Sequence, residues 1–180
     1  TIEPSVATPG PRSGPSAIYE TARDRMLVFG GQSGGARNDL WALDLQPVPA
    51  WSQILPAGGP PSPRYLHTSV YVPVHQRMLV FGDVWVLMLE ESPAWSQLTP
   101  SGTAPSARFL HAASYDPVRH RMLVFGGNDG APRDDLWALN LTGSARWELL
   151  VPAGPAPSPR QGASMVYDPV RDRMLVFGGR

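Results

Sequence analysis

The chain has 180 residues, enough for one domain with a sizeable hydrophobic core. Its fifteen basic residues, all arginine, balance fifteen acidic ones, so net charge gives no argument for a nucleic acid or an anionic membrane as partner. The absence of cysteine excludes disulfides, thiolate metal sites and cysteine nucleophiles. The longest apolar run, residues 84–89, is far shorter than the roughly 20 residues of a membrane span.

Four copies of one segment follow each other along the chain. The first, residues 19–31, reads Tyr-Glu-Thr-Ala-Arg-Asp-Arg-Met-Leu-Val-Phe-Gly-Gly, and its counterparts begin at Tyr71, Tyr115 and Tyr167. An arginine precedes each copy, at intervals of 52, 44 and 52 residues: Arg12, Arg64, Arg108 and Arg160. Self-similarity at such a period predicts a repeat architecture.

Each complete repeat predicts four short strands. In chain order these are a strand such as residues 68–71, the Met-Leu-Val-Phe-Gly-Gly segment, a Leu-Trp-Ala-Leu segment and a Trp-Ser-Gln-Ile-Leu segment. All are bounded by Gly, Pro, Asn or Asp, which mark turns, and no helical period of 10–12 residues lies between them. Four-stranded units that recur at this spacing are typical of a β-propeller.

The order of glycines and tryptophans resembles a kelch repeat, in which a glycine doublet is followed by two spaced aromatic residues. Here Gly30 and Gly31 precede Trp41 and Trp51, and residues 126–127 precede Trp137 and Trp147 in the same way. The second repeat departs from this pattern, because its loop between the second and third strands is eight residues shorter. The resemblance implies an all-β, kelch-type β-propeller of about three and a half to four four-stranded blades.

We predict a single propeller over residues 1–180, with blades at 12–56, 64–100 and 108–152 and a partial blade at 160–180. Residues 1–6 align with the end of a fourth strand, and the resemblance implies that such a strand completes the last blade. No segment supplies a third strand for that blade. Three possibilities therefore stay open: a piece of a longer propeller, self-association of two copies into one ring, or a small four-bladed ring.

The repeated arginines are the first candidate ligand-binding residues. The resemblance implies that an arginine at the start of the first strand points into the binding face. Arg12, Arg64, Arg108 and Arg160 could together bind carboxylates through bidentate hydrogen bonds. The alternative is that an arginine present in every repeat holds the connection between blades.

Arg37 and Arg133 are further candidates, because they lie in loops whose sequences differ between repeats while the flanking segments do not. The alternative is that these are solvated loops without a ligand. His67 and His111 each follow a repeated arginine by three residues and are included as candidates. A metal site would need carboxylates converging on them, and a capping or packing role is the alternative.

Other repeated residues indicate structural roles. Asp39, Asp83 and Asp135 directly precede the third strands and read as turn caps. The six tryptophans, two in each complete repeat, predict core packing between blades.

The function predicted from the sequence is a non-enzymatic kelch-repeat scaffold that binds a protein or peptide, possibly an acidic one, on its loop face. The alternatives are a carbohydrate-binding or sugar-processing propeller and a purely structural part of a larger propeller. Copper chemistry of the galactose oxidase type needs a cysteine, which this chain lacks. No catalytic residue, metal or cofactor is predicted, and the sequence indicates no cellular compartment.

Overall fold

Short apolar segments between turn residues form β-strands throughout the described part of the chain. The computed structural model describes residues 8–180, so the predicted strand at residues 1–6 lies outside the described part. Within it there are fourteen strands and one short 3₁₀ helix, Pro73–His75. None of the helical residues in this part forms a stretch with the length and apolar character that a membrane crossing needs.

The strands fall into one group for each repeat. The first repeat contains β1 (Ser16–Glu20), β2 (Arg25–Gln32), β3 (Ala36–Asp44) and β4 (Ala50–Ile54). The second contains β5 (Ser69–Val72), β6 (Arg77–Val80), β7 (Trp85–Met88) and β8 (Ala94–Gln97). The third contains β9 (Ala112–Asp116), β10 (Arg121–Phe125), β11 (Leu136–Asn140) and β12 (Arg146–Leu150), and the last contains β13 (Ala163–Asp168) and β14 (Arg173–Gly178).

Each group forms its own sheet, with the strands in sequence order. The sheets are β1–β4, β5–β8, β9–β12 and the two-stranded β13–β14. Short turns join consecutive strands, which makes neighbouring strands antiparallel. Three four-stranded sheets and one of two strands agree with the predicted three and a half blades.

The chain divides into two compact units, which we describe separately. The first unit comprises residues 8–79 and 85–96, and the second comprises residues 80–84 and 97–180. Sheet β1–β4 and most of β5–β8 belong to the first unit, while sheets β9–β12 and β13–β14 belong to the second.

The second strand of each complete repeat is the centre of the core. Leu27 and Phe29 in β2 are fully buried, and Leu123 and Phe125 in β10 are each 4% exposed. Burial of consecutive residues, rather than every other one, means that both faces of these strands are covered.

Buried carboxylates hold the turn between the first and second strands. Glu20 is inaccessible to solvent and accepts hydrogen bonds from Arg23 and, at 2.6 Å, from Arg25. Asp116, which is 2% exposed, accepts from Arg121 at 2.9 Å and caps the turn through the backbone N–H of Val118 at 3.2 Å. A buried charge needs such partners, so the Arg-x-Arg pattern of this turn is structural.

The third strand of the first repeat is longer than predicted. It begins at Ala36 rather than Leu40, because a bulge between Phe29 and Gly31 lets the ladder continue to the pair Gln32 and Ala36. Asp39 therefore lies inside β3 and not in a turn ahead of it.

Candidate functional site

In each unit, the candidate binding face is the end of the sheets at which each second strand leads into the third. We call it the loop face. In the first unit it comprises residues 30–37 and 64–67, and in the second unit residues 106–110, 126–135 and 160–161. The face is built from backbone contacts between the loop of one repeat and the beginning of the next.

Two backbone hydrogen bonds repeat at each of these contacts. The N–H of Gly31 donates to the carbonyl of Arg64, and the N–H of Arg64 donates to the carbonyl of Arg37, both at 2.9 Å. In the second unit, Gly127 donates to Arg160 and Arg160 donates to Arg133 at the same distance. The variable loops are therefore fixed at both ends, on a rigid frame.

Glycine is required at this contact because the backbones approach closely. Gly30 has a φ of 65°, and a Cβ there would lie 2.7 Å from the carbonyl oxygen of Arg64. Gly126 has a φ of 64°, and its Cβ would lie 2.7 Å from the carbonyl oxygen of Arg160. The first glycine of the doublet thus permits the connection between repeats.

The side chains of Arg12 and Arg108 form ion pairs and hydrogen bonds with other residues of the chain. Arg12 forms a bidentate pair with Asp39, with distances of 2.7 and 3.0 Å, and donates to the carbonyl of Gly30 at 2.9 Å. Arg108 makes the same contacts with Asp135 and Gly126. The two arginine side chains are only 8% and 2% exposed.

The same carboxylates also bind the tryptophan at the start of the third strand. The indole N–H of Trp41 donates to Asp39 at 2.7 Å, and that of Trp137 donates to Asp135 at 2.7 Å. Burial disfavours the charged carboxylate, but the hydrogen bonds from arginine and indole outweigh it and hold the pKa of both aspartates below the ordinary value. The role of these aspartates thus extends beyond the predicted turn caps.

These contacts support the structural alternative for Arg12 and Arg108, while ligand contact by the repeated arginines stays a prediction. Arg160 is half-buried and donates to the carbonyl of Gly178 at 2.8 Å. Arg64 is half-buried, and its side chain donates to the carbonyl of Ser62 at 3.1 Å.

The two candidate histidines pack into the interior. The Nε2 atom of His67 lies 2.8 Å from the Oγ atom of Ser16, and its ring meets the Phe29 ring edge-on at 5.5 Å. Burial, with a smaller contribution from the Arg64 charge, lowers the pKa of His67 to about 4. His111 is 4% exposed, with its ring 4.3 Å from that of Phe81. Residues 8–180 contain no group of three metal-binding side chains around these histidines or elsewhere.

Arg37 and Arg133 are the exposed cations of the loop face. Arg37 donates to the carbonyl of Ser33 at 3.1 Å. Arg133 pairs with Asp129 at 2.6 Å, and Ser106 also donates to that carboxylate. The hydrogen bonds from Arg133 and Ser106 lower the pKa of Asp129 to about 2.

The structure adds two exposed aromatic residues that the sequence analysis missed. Tyr65 and Phe109 directly follow Arg64 and Arg108 and are 45% and 46% exposed. The backbone of Phe109 pairs with that of Asn128 in both directions, at 3.1 and 2.9 Å. The signal was available in the repeat alignment, because the other two repeats have Ser and Gln at this position. Polar residues in equivalent places indicate an exposed site.

Comparison with known proteins decides the family. The model of the KLHDC2/KLHL20/DRC7 Kelch-repeats domain matches residues 82–180. The chain belongs to the kelch-repeat family. Its fold resembles that of the solved structure of YjhT, with a TM-score of 0.69 and 17% identity over 96% of this chain and 61% of that one. The expected kelch-type propeller fold is confirmed.

Two curated relatives match over shorter stretches. Human (Homo sapiens) Host cell factor 2 is 37% identical over 78 residues, which is 41% of this kelch-repeat chain and 10% of the relative. The Caenorhabditis elegans protein Host cell factor homolog hcf-1 is 40% identical over 82 residues, again 41% of this chain and 10% of the relative. The chain thus matches about a tenth of the length of these relatives.

Proposed function

We propose that this kelch-repeat chain is a non-enzymatic scaffold that binds a protein or peptide on its loop face. We also propose that the predicted ranges 12–56, 64–100, 108–152 and 160–180 are its blades. The observation that carries the functional proposal is that exposed aromatic rings and exposed guanidinium groups both occur in loops held by backbone hydrogen bonds. Tyr65 lies beside the backbone contact between Arg64 and Arg37, and Phe109 lies on the strand-like pair with Asn128.

These side-chain types suit peptide recognition. Aromatic residues and arginine are enriched where proteins bind one another, because they bury large areas and also form directional polar contacts. Rings that are nearly half exposed retain apolar surface for a ligand to cover. Because both loops are held by backbone hydrogen bonds, little conformational entropy is lost on binding.

We propose an acidic ligand because Arg37 presents an accessible guanidinium group. Its hydrogen bond to the Ser33 carbonyl uses one terminal nitrogen and leaves further N–H groups directed to solvent. Arg133 shares its charge with Asp129, so it contributes less net positive potential. We propose that a carboxylate pairs with Arg37 while neighbouring apolar groups cover Tyr65.

The test compares two charge reversals that change the net charge equally. Arg37→Glu lies on the loop face, whereas Arg171→Glu lies in the turn between β13 and β14, at the opposite end of its sheet. With a fluorescent glutamate- and leucine-rich decapeptide, we expect Arg37→Glu to weaken binding about tenfold or more and Arg171→Glu to leave it unchanged. Equal losses in the two variants, or no binding by the wild-type chain, would contradict the proposal.

We also propose self-association, for which β14 gives a specific reason. Leu175 and Phe177 of this strand are 42% and 84% exposed, and an apolar sheet edge promotes pairing between chains.

A further inference from the structure

The turn between the first and second strands of the second repeat departs from the same turn in the other repeats. The last residue of the first strand is a buried carboxylate in the first and third repeats, Glu20 and Asp116, whereas the second repeat has Val72 there. Val72 is fully buried as well and makes no capping hydrogen bond. The arginine that begins the second strand is nevertheless kept, as Arg77.

In those other two repeats, the arginine pairs with the carboxylate of its own turn. The Nε atom of Arg25 donates to Glu20 at 2.6 Å, and that of Arg121 donates to Asp116 at 2.9 Å. A valine side chain accepts no hydrogen bond, so this turn-bracing role does not extend to Arg77. Arg77 has other interactions within the chain, and a ligand would add to these contacts.

The neighbouring third strand also carries an apolar residue beside this arginine. In the third repeat, Arg121 lies opposite Asn140, and the position equivalent to Asn140 is occupied by Met88 in β7. The N–H of Leu89 donates to the carbonyl of Gln76 at 2.9 Å, which gives the second repeat the same register. Apolar side chains thus replace both polar neighbours that the arginine has in the third repeat.

A cavity lies at this altered turn, within the first unit. It has a volume of about 320 Å³. Its lining consists of Val74, His75, Gln76 and Arg77 from the turn and the start of β6, and of Met88 and Glu90 from the end of β7 and the segment after it. Ligand pockets in proteins span about 300–1,000 Å³, so this volume suits a small molecule.

Two opposite charges line this cavity without pairing with each other. Glu90 is exposed, and its carboxylate forms no ion pair among residues 8–180, so it is not bonded to the guanidinium group of Arg77. The equivalent residues of the first and third repeats, Gln46 and Thr142, are neutral. A small molecule that carries its own carboxylate and ammonium groups can pair with both charges at once.

We propose that this cavity binds a free α-amino acid with an aliphatic side chain. The carboxylate of the amino acid accepts hydrogen bonds from Arg77, its ammonium group pairs with Glu90, and its side chain packs against Val74 and Met88. The site is separate from the loop face, because residues 64–67 lead into β5 and the cavity lies beyond the other end of that strand. The proposal does not depend on the loop-face ligand.

The direct test titrates L-leucine into the isotope-labelled full 180-residue chain and follows its NMR signals. We expect saturable shifts at Gln76, at Glu90 and at the side-chain Nε–H of Arg77. The dissociation constant should be about 1 mM, because partly exposed ion pairs contribute little affinity. N-acetyl-L-leucine lacks the ammonium group and L-leucinamide lacks the carboxylate, and each should bind about fivefold more weakly or worse.

Protein variants check the location of the site. Glu90→Gln should weaken leucine binding about fivefold. Glu91→Gln is the matched control, because Glu91 is the next residue and is also exposed but does not line the cavity. Arg77→Gln should weaken binding about tenfold or more, since it removes hydrogen bonds to a charged group. If Arg77→Gln unfolds the chain by circular dichroism, the two glutamate variants still decide the result.

Three outcomes would overturn the proposal. They are no saturable shifts at the cavity residues with millimolar leucine, equal leucine binding by the Glu90→Gln and Glu91→Gln variants, and binding of either leucine derivative as tight as that of leucine. Arg37→Glu lies on the loop face and should leave leucine binding unchanged, so this site is tested independently of the loop-face proposal.

Discussion

At the scale of single residues, the ring of His67 packs into the interior, and its Nε2 atom forms a hydrogen bond with the Ser16 hydroxyl. Its Nδ1 atom is buried without a hydrogen-bond partner in the described part of the chain, so the interior stabilises the neutral ring and not the cation. A histidine placed in this way packs against Phe29 and serves as part of the core. Its protonation should therefore oppose folding.

The pH dependence of stability should reveal this histidine. Its pKa is about 4 in the folded chain and about 6.5 when unfolded, so the unfolded state binds more protons between these values. Stability is full above pH 6.5 and falls as the pH drops toward 4. We expect His67 to account for a loss of about 2 kcal/mol between pH 7 and pH 5 in urea unfolding.

His67→Gln should flatten this part of the pH profile. His75→Gln is the matched control, because His75 is exposed in the turn after β5 and should leave the profile unchanged. A profile of His67→Gln parallel to that of the wild type would show that His67 is not the group responsible.

At the scale of secondary-structure elements, one carboxylate joins the start of a repeat to its third strand. Asp135 precedes β11, accepts from Arg108 near the start of the same repeat, and accepts the indole N–H of Trp137. Asp39 makes the equivalent contacts in the first repeat. Each arginine also donates a hydrogen bond to the carbonyl of the first glycine of the doublet, Gly30 or Gly126.

Neutralising this carboxylate should destabilise the chain. In Asp135→Asn the guanidinium group of Arg108, with 2% of its side chain exposed, loses its counter-charge, and we expect a loss of about 3 kcal/mol in the free energy of unfolding. Asp134→Asn is the matched control. Asp134 is the exposed neighbour of Asp135, and its substitution should change the free energy of unfolding by no more than about 0.5 kcal/mol. Similar effects of the two substitutions in urea unfolding would show that the pair is not structural.

At the scale of the whole molecule, β14 is the surface that we propose for association between copies of the chain. Its exposed apolar side chains give copies of the chain a surface for pairing, so the mass measured by light scattering should rise with concentration. Phe177→Lys should weaken this association about tenfold or more, because it places a charge on the edge strand.

Val170→Lys is the control for this substitution. Val170 is 85% exposed, as Phe177 is 84% exposed, but it lies in the turn between β13 and β14 and not on the edge. A wild-type chain that stays monomeric at all concentrations, or an equal effect of both lysines, would contradict the prediction that β14 mediates association.

Much of the fold follows from local sequence. Short apolar runs bounded by turn residues are enough to predict the strands, and their recurrence predicts one sheet for each repeat. Side-chain roles on the loop face are harder to predict. The sequence left both a ligand contact and a structural role open for Arg12, because its partner Asp39 is 27 residues away and meets it only after the sheet forms.

Repetition in the sequence by itself determined the number, order and approximate limits of the strands, because hydrogen bonding between consecutive strands needs only short-range pattern and turns. Tertiary structure alone decided which side chains are exposed. Phe125 and Phe177 stand in the same Met-Leu-Val-Phe-Gly-Gly segment, yet one is 4% and the other 84% exposed. The difference arises from the neighbouring strands, since burial depends on what packs against a residue and not on its local sequence.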